Sequence, residues 1–73
     1  MPIDLSLIIP CYNEELILEG SVKQVFKILD NTRFSYEIIF VDDRSLDNTK
    51  GIIENIINTY PDRKISAIFH SEN

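Results

Sequence analysis

The apolar residues of this chain follow the spacing of strands in some segments and that of helices in others. The order of these segments predicts five elements. Short apolar runs typical of strands occupy Leu5–Ile9 and Tyr36–Val41, and a third covers Ile65–His70. Between them, apolar residues recur at helical spacing from about Glu14 to Leu29 and again over Ile52–Tyr60. Strands that alternate with helices are typical of a parallel sheet. The sequence therefore predicts an α/β fold with the order βαβαβ.

Breaks in the pattern separate these elements. Pro10 has no N–H to donate to a sheet, so we expect it to close the first strand. Asp30 begins a polar Asp-Asn-Thr run that ends the first helix, and Pro61 ends the second.

The first two strands carry apolar residues on both faces. In the first strand Leu5, Leu7 and Ile9 point to one face and Ile8 to the other. In the second strand Ile38 and Phe40 point to one face, and Ile39 and Val41 to the other. Such strands belong to a sheet that is covered on both sides. Two right-handed crossovers that progress in one direction place both helices on the same face, which leaves the other face bare. We therefore expect residues 1–73 to be the N-terminal part of a larger domain, with dimerisation through the bare face as an alternative.

Composition limits the class of protein. The chain has 73 residues, of which 44% are hydrophobic and 26% charged, which is typical of one small soluble domain. Its net charge of −5 and its lack of a basic cluster argue against nucleic-acid binding. It has no signal-peptide pattern and no apolar run of roughly 20 residues that could span a membrane. The single cysteine, Cys11, is typical of a reducing compartment, so we expect a cytoplasmic location.

Candidate chemistry follows the first two strands. Asp42 and Asp43 come directly after the second strand, and the loop 10–14 follows the first. Ligands of open α/β sheets bind beyond the carboxyl ends of the strands, where these two loops face each other. A carboxylate there can accept hydrogen bonds from a base or a ribose, and the ring of Tyr12 can pack on a base. The chain lacks a Gly-rich phosphate loop, so we expect a nucleotide pocket built from side chains and strand ends.

The two adjacent carboxylates have other interpretations. They could be acids of an exposed turn, or they could form a metal site. Neighbouring strand residues point to opposite faces, so we expect Asp43 to be a ligand and Asp42 to be structural. Ser45, Asp47 and Thr49 are expected to cap the second helix, at about 1 kcal/mol for each good cap.

Four side chains have a structural interpretation, either as the expected role or as an alternative to ligand binding. Asn13 is typical of a turn. Cys11 has no histidine near it in sequence and is expected to fill space in its loop. His70 is expected to be structural, and Tyr12 could instead pack beneath its own loop.

Two segments resemble the motifs of a known family. Leu7–Glu15 and Val41–Thr49 are similar to the opening segment and the Val-Asp-Asp-x-Ser-x-Asp-x-Thr motif of family-2 glycosyltransferases with the GT-A fold. The order and spacing of the two segments also match. Within the family, the chain resembles the polyprenyl-phosphate sugar transferases. It departs from the pattern at Arg44, where Gly or Asp is common. The resemblance implies that this chain is the nucleotide-binding half of a Rossmann-like domain.

The resemblance also implies a reaction. A hexose would pass from a GDP- or UDP-sugar donor to a polyprenyl-phosphate or glycan acceptor, with inversion at the anomeric carbon. Matched position by position, the nucleotide-binding residues are Pro10, Tyr12, Glu14, Val41 and Asp43. No catalytic or metal-binding residue of the family falls within this chain, and the implied divalent cation, Mg²⁺ or Mn²⁺, would be bound mainly beyond it. A polyprenyl acceptor would place the protein at the cytoplasmic face of a membrane, through segments beyond Asn73.

Two other classes remain as alternatives. Phosphoacceptor receiver domains are parallel α/β folds with an acidic pair, but that pair follows their first strand and here it follows the second. A nucleotide-binding module without catalysis is the more serious alternative. An Asp-x-Asp motif after a fourth strand would favour the enzyme.

Overall fold

The five elements occur in the predicted order in a computed structural model, which describes residues 2–70. Their bounds are β1 Leu5–Cys11, α1 Leu18–Leu29, β2 Tyr36–Asp43, α2 Thr49–Thr59 and β3 Ile65–His70. The three strands pair in parallel as one sheet of order β1-β2-β3. The α/β class and the βαβαβ order are confirmed.

The first strand runs further than its sequence predicts. β1 continues through Pro10 to Cys11, and the register places Pro10 opposite Val41 and Cys11 opposite Asp42. The prediction that Pro10 closes the strand is therefore wrong. β1 pairs only with β2 in the described sheet, and an edge strand tolerates proline because some of its N–H groups need no partner.

The first helix begins later than predicted. Regular helix starts at Leu18, and a separate turn precedes it, in which the N–H groups of Ile17 and Leu18 both donate to the carbonyl of Glu14, at 3.1 and 2.9 Å. The second helix begins at Thr49, three residues before its apolar stripe.

Both helices cover the same face of the sheet. Their buried side chains join those of β1 and β2 in one core cluster: Cys11, Leu18, Val22, Phe26, Ile38, Phe40, Ile53 and Ile56. Phe40 and Ile53 are fully buried at its centre. The ring of Phe26 meets that of Tyr60 edge to face, with centroids 4.9 Å apart. The helices therefore pack on each other as well as on the sheet.

The opposite face of the sheet lies open within residues 2–70, as the two crossovers predict. Ile8 is 61% exposed and Ile68 is 52% exposed, while Ile39 and Val41 between them are half-buried. An apolar sheet face of this kind is typical of strands that are covered on both sides.

An ion pair closes the end of the sheet that lies away from the carboxyl ends of the strands. Arg63 donates two hydrogen bonds to the carboxylate of Asp30, at 3.0 and 2.7 Å, and a third to the hydroxyl of Tyr36 at 2.7 Å. Its guanidinium also lies 4.0 Å from the ring centroid of Phe26. The hydrogen bonds from Arg63 and Tyr36 lower the pKa of Asp30 to about 2. The network joins the end of α1 to the starts of β2 and β3.

Candidate functional site

Two loops meet at the carboxyl ends of the strands. The loop after β1 contains Tyr12 and Asn13, and the loop after β2 runs from Arg44 to Asn48. Side chains of the second loop and of the first residue of α2 accept hydrogen bonds from three consecutive amides of the first loop. The pairs are Asn13 N–H to Ser45 Oγ (2.9 Å), Glu14 N–H to Thr49 Oγ1 (2.7 Å) and Glu15 N–H to Asp47 Oδ2 (3.2 Å).

The side chain of Asn13 accepts hydrogen bonds in the opposite direction, from amides of the loop after β2. Its Oδ1 accepts from the N–H of Leu46 at 2.6 Å and from that of Asp47 at 3.4 Å. Its backbone has φ = 52°, a left-handed conformation that asparagine tolerates better than most residues. The expected turn role of Asn13 is confirmed, and its side chain also bridges the two loops.

The prediction that Ser45, Asp47 and Thr49 cap α2 is wrong for Ser45 and Thr49. The N-cap residue is Asn48, and its side chain makes no capping hydrogen bond. Asp47 Oδ1 accepts from the N–H of Thr49 at 3.0 Å, which serves one amide of the first turn. The hydroxyls of Ser45 and Thr49 instead accept from the loop after β1, because that loop presents unpaired N–H groups beside them.

The two adjacent carboxylates have separate environments. Asp42 is only 4% exposed, and it accepts from the hydroxyl of Ser45 at 2.5 Å and from the N–H of Ser45 at 3.4 Å. Asp43 is exposed. The structural role expected of Asp42 is confirmed, and Asp43 is the carboxylate that a ligand can reach.

Tyr12 and Asp43 line one surface depression of about 370 Å³, together with Arg44 and Leu46. Tyr12 is 54% exposed, so the alternative in which it packs beneath its loop is wrong. Leu46 is 84% exposed at the rim. The depression has the volume of a small-molecule site and an aromatic ring beside a carboxylate.

Pro10 and Val41 lie next to this depression on the open face of the sheet. They are register partners in β1 and β2, and Asp43 follows Val41 by two residues, on the same side of the strand. Glu14 is different, because it is half-buried in the turn before α1 and does not line the depression. The structure thus brings four of the five predicted nucleotide-binding residues to one surface.

Arg44 and Leu46 line the depression although neither was predicted as a site residue. Arg44 has φ = 57°, a left-handed conformation that is uncommon outside glycine. A glycine would adopt that conformation without strain. The apolar side chain of Leu46 within a polar loop is the sequence feature that could have predicted its place at the depression.

The thiol of Cys11 is not a nucleophile. It is 2% exposed, and it donates to the carbonyl of Ile9 at 3.5 Å. Burial, together with the negative charges of Glu14 and Asp42, raises the pKa of Cys11 to about 11. A thiol with that pKa is almost entirely protonated near neutral pH.

A divalent cation does not fit the residues described here. Within residues 2–70 there is no group of three or more His, Cys, Asp or Glu side chains that could hold one, and the carboxylate of Asp42 is occupied by Ser45. In the same part of the chain, neither helix has the length and apolar character needed to cross a bilayer.

Comparison with known families identifies the class of protein. The model of the family described as "Glycosyl transferase family 2" matches residues 6–73. The chain belongs to this family, and its sheet is the Rossmann-like N-terminal part of a family-2 domain.

Individual relatives refine the comparison. A dolichyl-phosphate beta-glucosyltransferase of Dictyostelium discoideum is 35% identical over 80 residues, which cover 99% of this chain and 24% of the relative. An undecaprenyl-phosphate 4-deoxy-4-formamido-L-arabinose transferase of Proteus mirabilis is 33% identical over 66 residues, 90% of this chain and 20% of the relative. An uncharacterized glycosyltransferase of Synechocystis is 38% identical over the whole chain, which covers 22% of that protein. The chain thus spans about a quarter or less of the length of these relatives.

Proposed function

We propose that this chain provides the nucleoside pocket of an inverting glycosyltransferase that uses a nucleotide-sugar donor. One observation carries the proposal: Tyr12 and Asp43 share a depression at the carboxyl ends of the strands, the edge where open α/β sheets bind ligands. In this view residues 1–73 form the N-terminal part of a GT-A domain. The names of two relatives, a dolichyl-phosphate and an undecaprenyl-phosphate transferase, support a polyprenyl phosphate as acceptor. A location at the cytoplasmic face of a membrane is part of the proposal.

The pocket residues have distinct roles in this proposal. The exposed ring of Tyr12 packs against the base, and Pro10 and Val41 supply an apolar surface beside it. Asp43 accepts a hydrogen bond from the ribose or from the imide N–H of the base. Guanine and uracil carry such an N–H, whereas cytosine has an acceptor at the same edge. A contact between Asp43 and that ring N–H therefore favours GDP- or UDP-sugars, and a contact with ribose does not discriminate.

The reaction proposed for the whole protein is a displacement at the anomeric carbon. An oxygen of the acceptor phosphate forms the new bond to that carbon, the bond to the donor diphosphate breaks, and a nucleoside diphosphate leaves. The acceptor oxygen is already anionic, so positioning contributes more to the rate than a general base does. The divalent cation that the family implies is assigned to ligands outside residues 2–70, since no set within them fits it.

Calorimetric titration of the full-length protein with GDP, UDP and CDP, in the presence of Mg²⁺ or Mn²⁺, tests the proposal. The informative variant is Asp43→Asn, which keeps the shape of the side chain and removes its charge. Asp62→Asn is the matched control, because Asp62 is an exposed acid near the opposite end of the sheet. We expect at least one diphosphate to bind, a loss of about tenfold or more in affinity for Asp43→Asn, which is about 1.4 kcal/mol, and no change for Asp62→Asn.

Two results would contradict the proposal. One is a folded wild-type protein that binds none of the three nucleotides. The other is binding that is equally tight in both variants, which would place the nucleotide elsewhere. A protein that binds nucleotide through Asp43 but transfers no sugar would instead be the non-catalytic module.

A further inference from the structure

Three side chains of the segment Ser45-x-Asp47-x-Thr49 accept hydrogen bonds from three consecutive amides of the neighbouring loop. Ser45 accepts from the N–H of Asn13, Thr49 from that of Glu14, and Asp47 from that of Glu15. We infer that Ser45, Asp47 and Thr49 are positioning residues, which fix the loop that carries Tyr12 against the loop that follows Asp43. This inference rests on the proposed function. We call Asn13, Ser45, Asp47 and Thr49 the clasp.

Each hydroxyl of the clasp is oriented by a carboxylate. Ser45 Oγ donates its single proton to Asp42 Oδ1, and Thr49 Oγ1 donates its proton to Asp47 Oδ1, both at 2.5 Å. With the proton committed, the lone pairs of each oxygen are left to accept from the other loop. Hydrogen bonds to an ionised carboxylate are stronger than neutral ones, so the two hydroxyls are held in one orientation.

The charge state of Asp47 agrees with this arrangement. Burial acts to raise the pKa of Asp47, but hydrogen bonds from Thr49 and from the amide of Glu15 outweigh it, and the net pKa is lowered. Asp47 is therefore ionised near neutral pH. It accepts from Thr49 with one oxygen and from Glu15 with the other, so a single carboxylate serves both loops.

The clasp flanks the residues that line the depression. Tyr12 directly precedes Asn13, and Asp43 directly follows Asp42, which anchors the Ser45 hydroxyl. Leu46, at the rim, donates its N–H to the side chain of Asn13. The separation of Tyr12 and Asp43 is thus set by hydrogen bonds next to both of them. A site held in its binding geometry loses less conformational freedom when a ligand binds, which increases affinity.

The clasp is built from residues of both motifs. Residues of the first motif supply the amides and the Asn13 carbonyl, and residues of the second supply the accepting side chains. Neither segment satisfies these groups by itself. The polar side chains of residues 45–49 therefore serve to bind one loop to the other.

Ser45→Ala and Ser45→Thr form the matched pair that tests the inference in the full-length protein. Alanine removes the hydroxyl that joins Asp42 to the amide of Asn13, and threonine keeps it. We expect Ser45→Ala to weaken binding of the preferred nucleoside diphosphate about tenfold and to raise the donor KM more than it lowers kcat. Ser45→Thr should restore binding to within about threefold of the wild type. Hydrogen exchange of the peptide 12–16 should be faster in Ser45→Ala without any nucleotide.

A core variant separates positioning from a general loss of stability. Ile56→Val creates a small cavity in the helix layer, away from the clasp, and lowers the urea concentration at which the protein unfolds. Its nucleotide affinity should equal that of the wild type. If Ile56→Val and Ser45→Ala weaken binding equally, or if Ser45→Ala binds as tightly as the wild type, the positioning role is wrong.

The experiment distinguishes a failure of the proposed function from a failure of the clasp. Wild-type protein that binds no nucleotide overturns the proposed function, and exchange at residues 12–16 then decides the clasp by itself. Faster exchange in Ser45→Ala keeps the clasp as the device that joins the two loops. Exchange equal to that of the wild type overturns it.

Discussion

Replacing Thr49 by valine tests the buried half of the clasp through stability alone. The hydroxyl of Thr49 accepts from the amide of Glu14 at 2.7 Å and donates to Asp47, and the side chain is fully buried. Valine has nearly the same shape, so Thr49→Val removes both hydrogen bonds and leaves no cavity.

The expected loss of stability is about 2 kcal/mol. A neutral hydrogen bond contributes about 1 kcal/mol and one to a charged group about 1.5–3 kcal/mol. The additional buried methyl offsets about 0.8 kcal/mol of that sum. Asp47 keeps its bonds from the amides of Thr49 and Glu15, which holds the loss below the upper limit.

Urea unfolding of the wild type and the variant measures this loss, with Thr59→Val as the matched control. Thr59 lies at the other end of α2, is exposed, and donates its hydroxyl to the carbonyl of Asn55 at 2.7 Å. Water replaces that bond, so the control should change the free energy of unfolding by less than about 0.5 kcal/mol. If Thr49→Val costs no more than Thr59→Val, the hydrogen bonds of Thr49 do not hold the two loops together.

Three further predictions concern the rest of the chain. The lowered pKa of Asp30, about 2 against an ordinary 3.8, means that its ion pair stabilises the fold fully above about pH 4 and is lost as the pH falls towards 2. Asp30→Asn should therefore flatten the unfolding profile in that range, and parallel profiles would contradict it. The buried environment of Cys11 raises its pKa to about 11. Iodoacetamide at pH 8 should therefore label Cys11 far faster in urea than in the native protein, as measured by mass spectrometry. Rapid labelling of the native protein would contradict its burial. Gly20→Ala should raise stability by about 0.5–1 kcal/mol, because a Cβ there meets nothing within 4 Å and alanine favours the helix; a lowered melting temperature would contradict this.

The order of the elements could be predicted because each has a strong periodic pattern. The apolar run of β2 and the apolar stripe of α2 are local properties of the sequence, and the structure keeps both. The end of β1 could not be predicted in this way, since Pro10 is tolerated only because β1 lies at the edge of the described sheet. Whether a strand lies at an edge is a property of the whole sheet.

The site was predictable in its residue types and less so in its contacts. Strand parity, which is a local rule, predicts different environments for Asp42 and Asp43, and one is buried while the other is exposed. Ser45 and Thr49 were misassigned as helix caps, because residues of this kind suit a cap and a contact between loops equally well. Only the approach of the loop after β1, some 32 to 35 residues away in sequence, decides between the two.

Long-range pairs were beyond the reach of the sequence pattern. Arg63 joins Asp30 and Tyr36, which are 33 and 27 residues away, and no local signal marks any of the three. The place of Arg44 at the depression was not predicted either, because its residue type does not indicate its left-handed backbone.

A crystal structure of the full-length protein with its preferred nucleoside diphosphate tests the central claim most directly. The proposed pocket predicts the ring of Tyr12 against the base and a carboxylate oxygen of Asp43 about 2.7–3.2 Å from a donor of the base or the ribose. It also predicts that the hydrogen bond from the N–H of Asn13 to the hydroxyl of Ser45 persists in the complex. A nucleotide bound away from the depression of Tyr12 and Asp43 would contradict the claim.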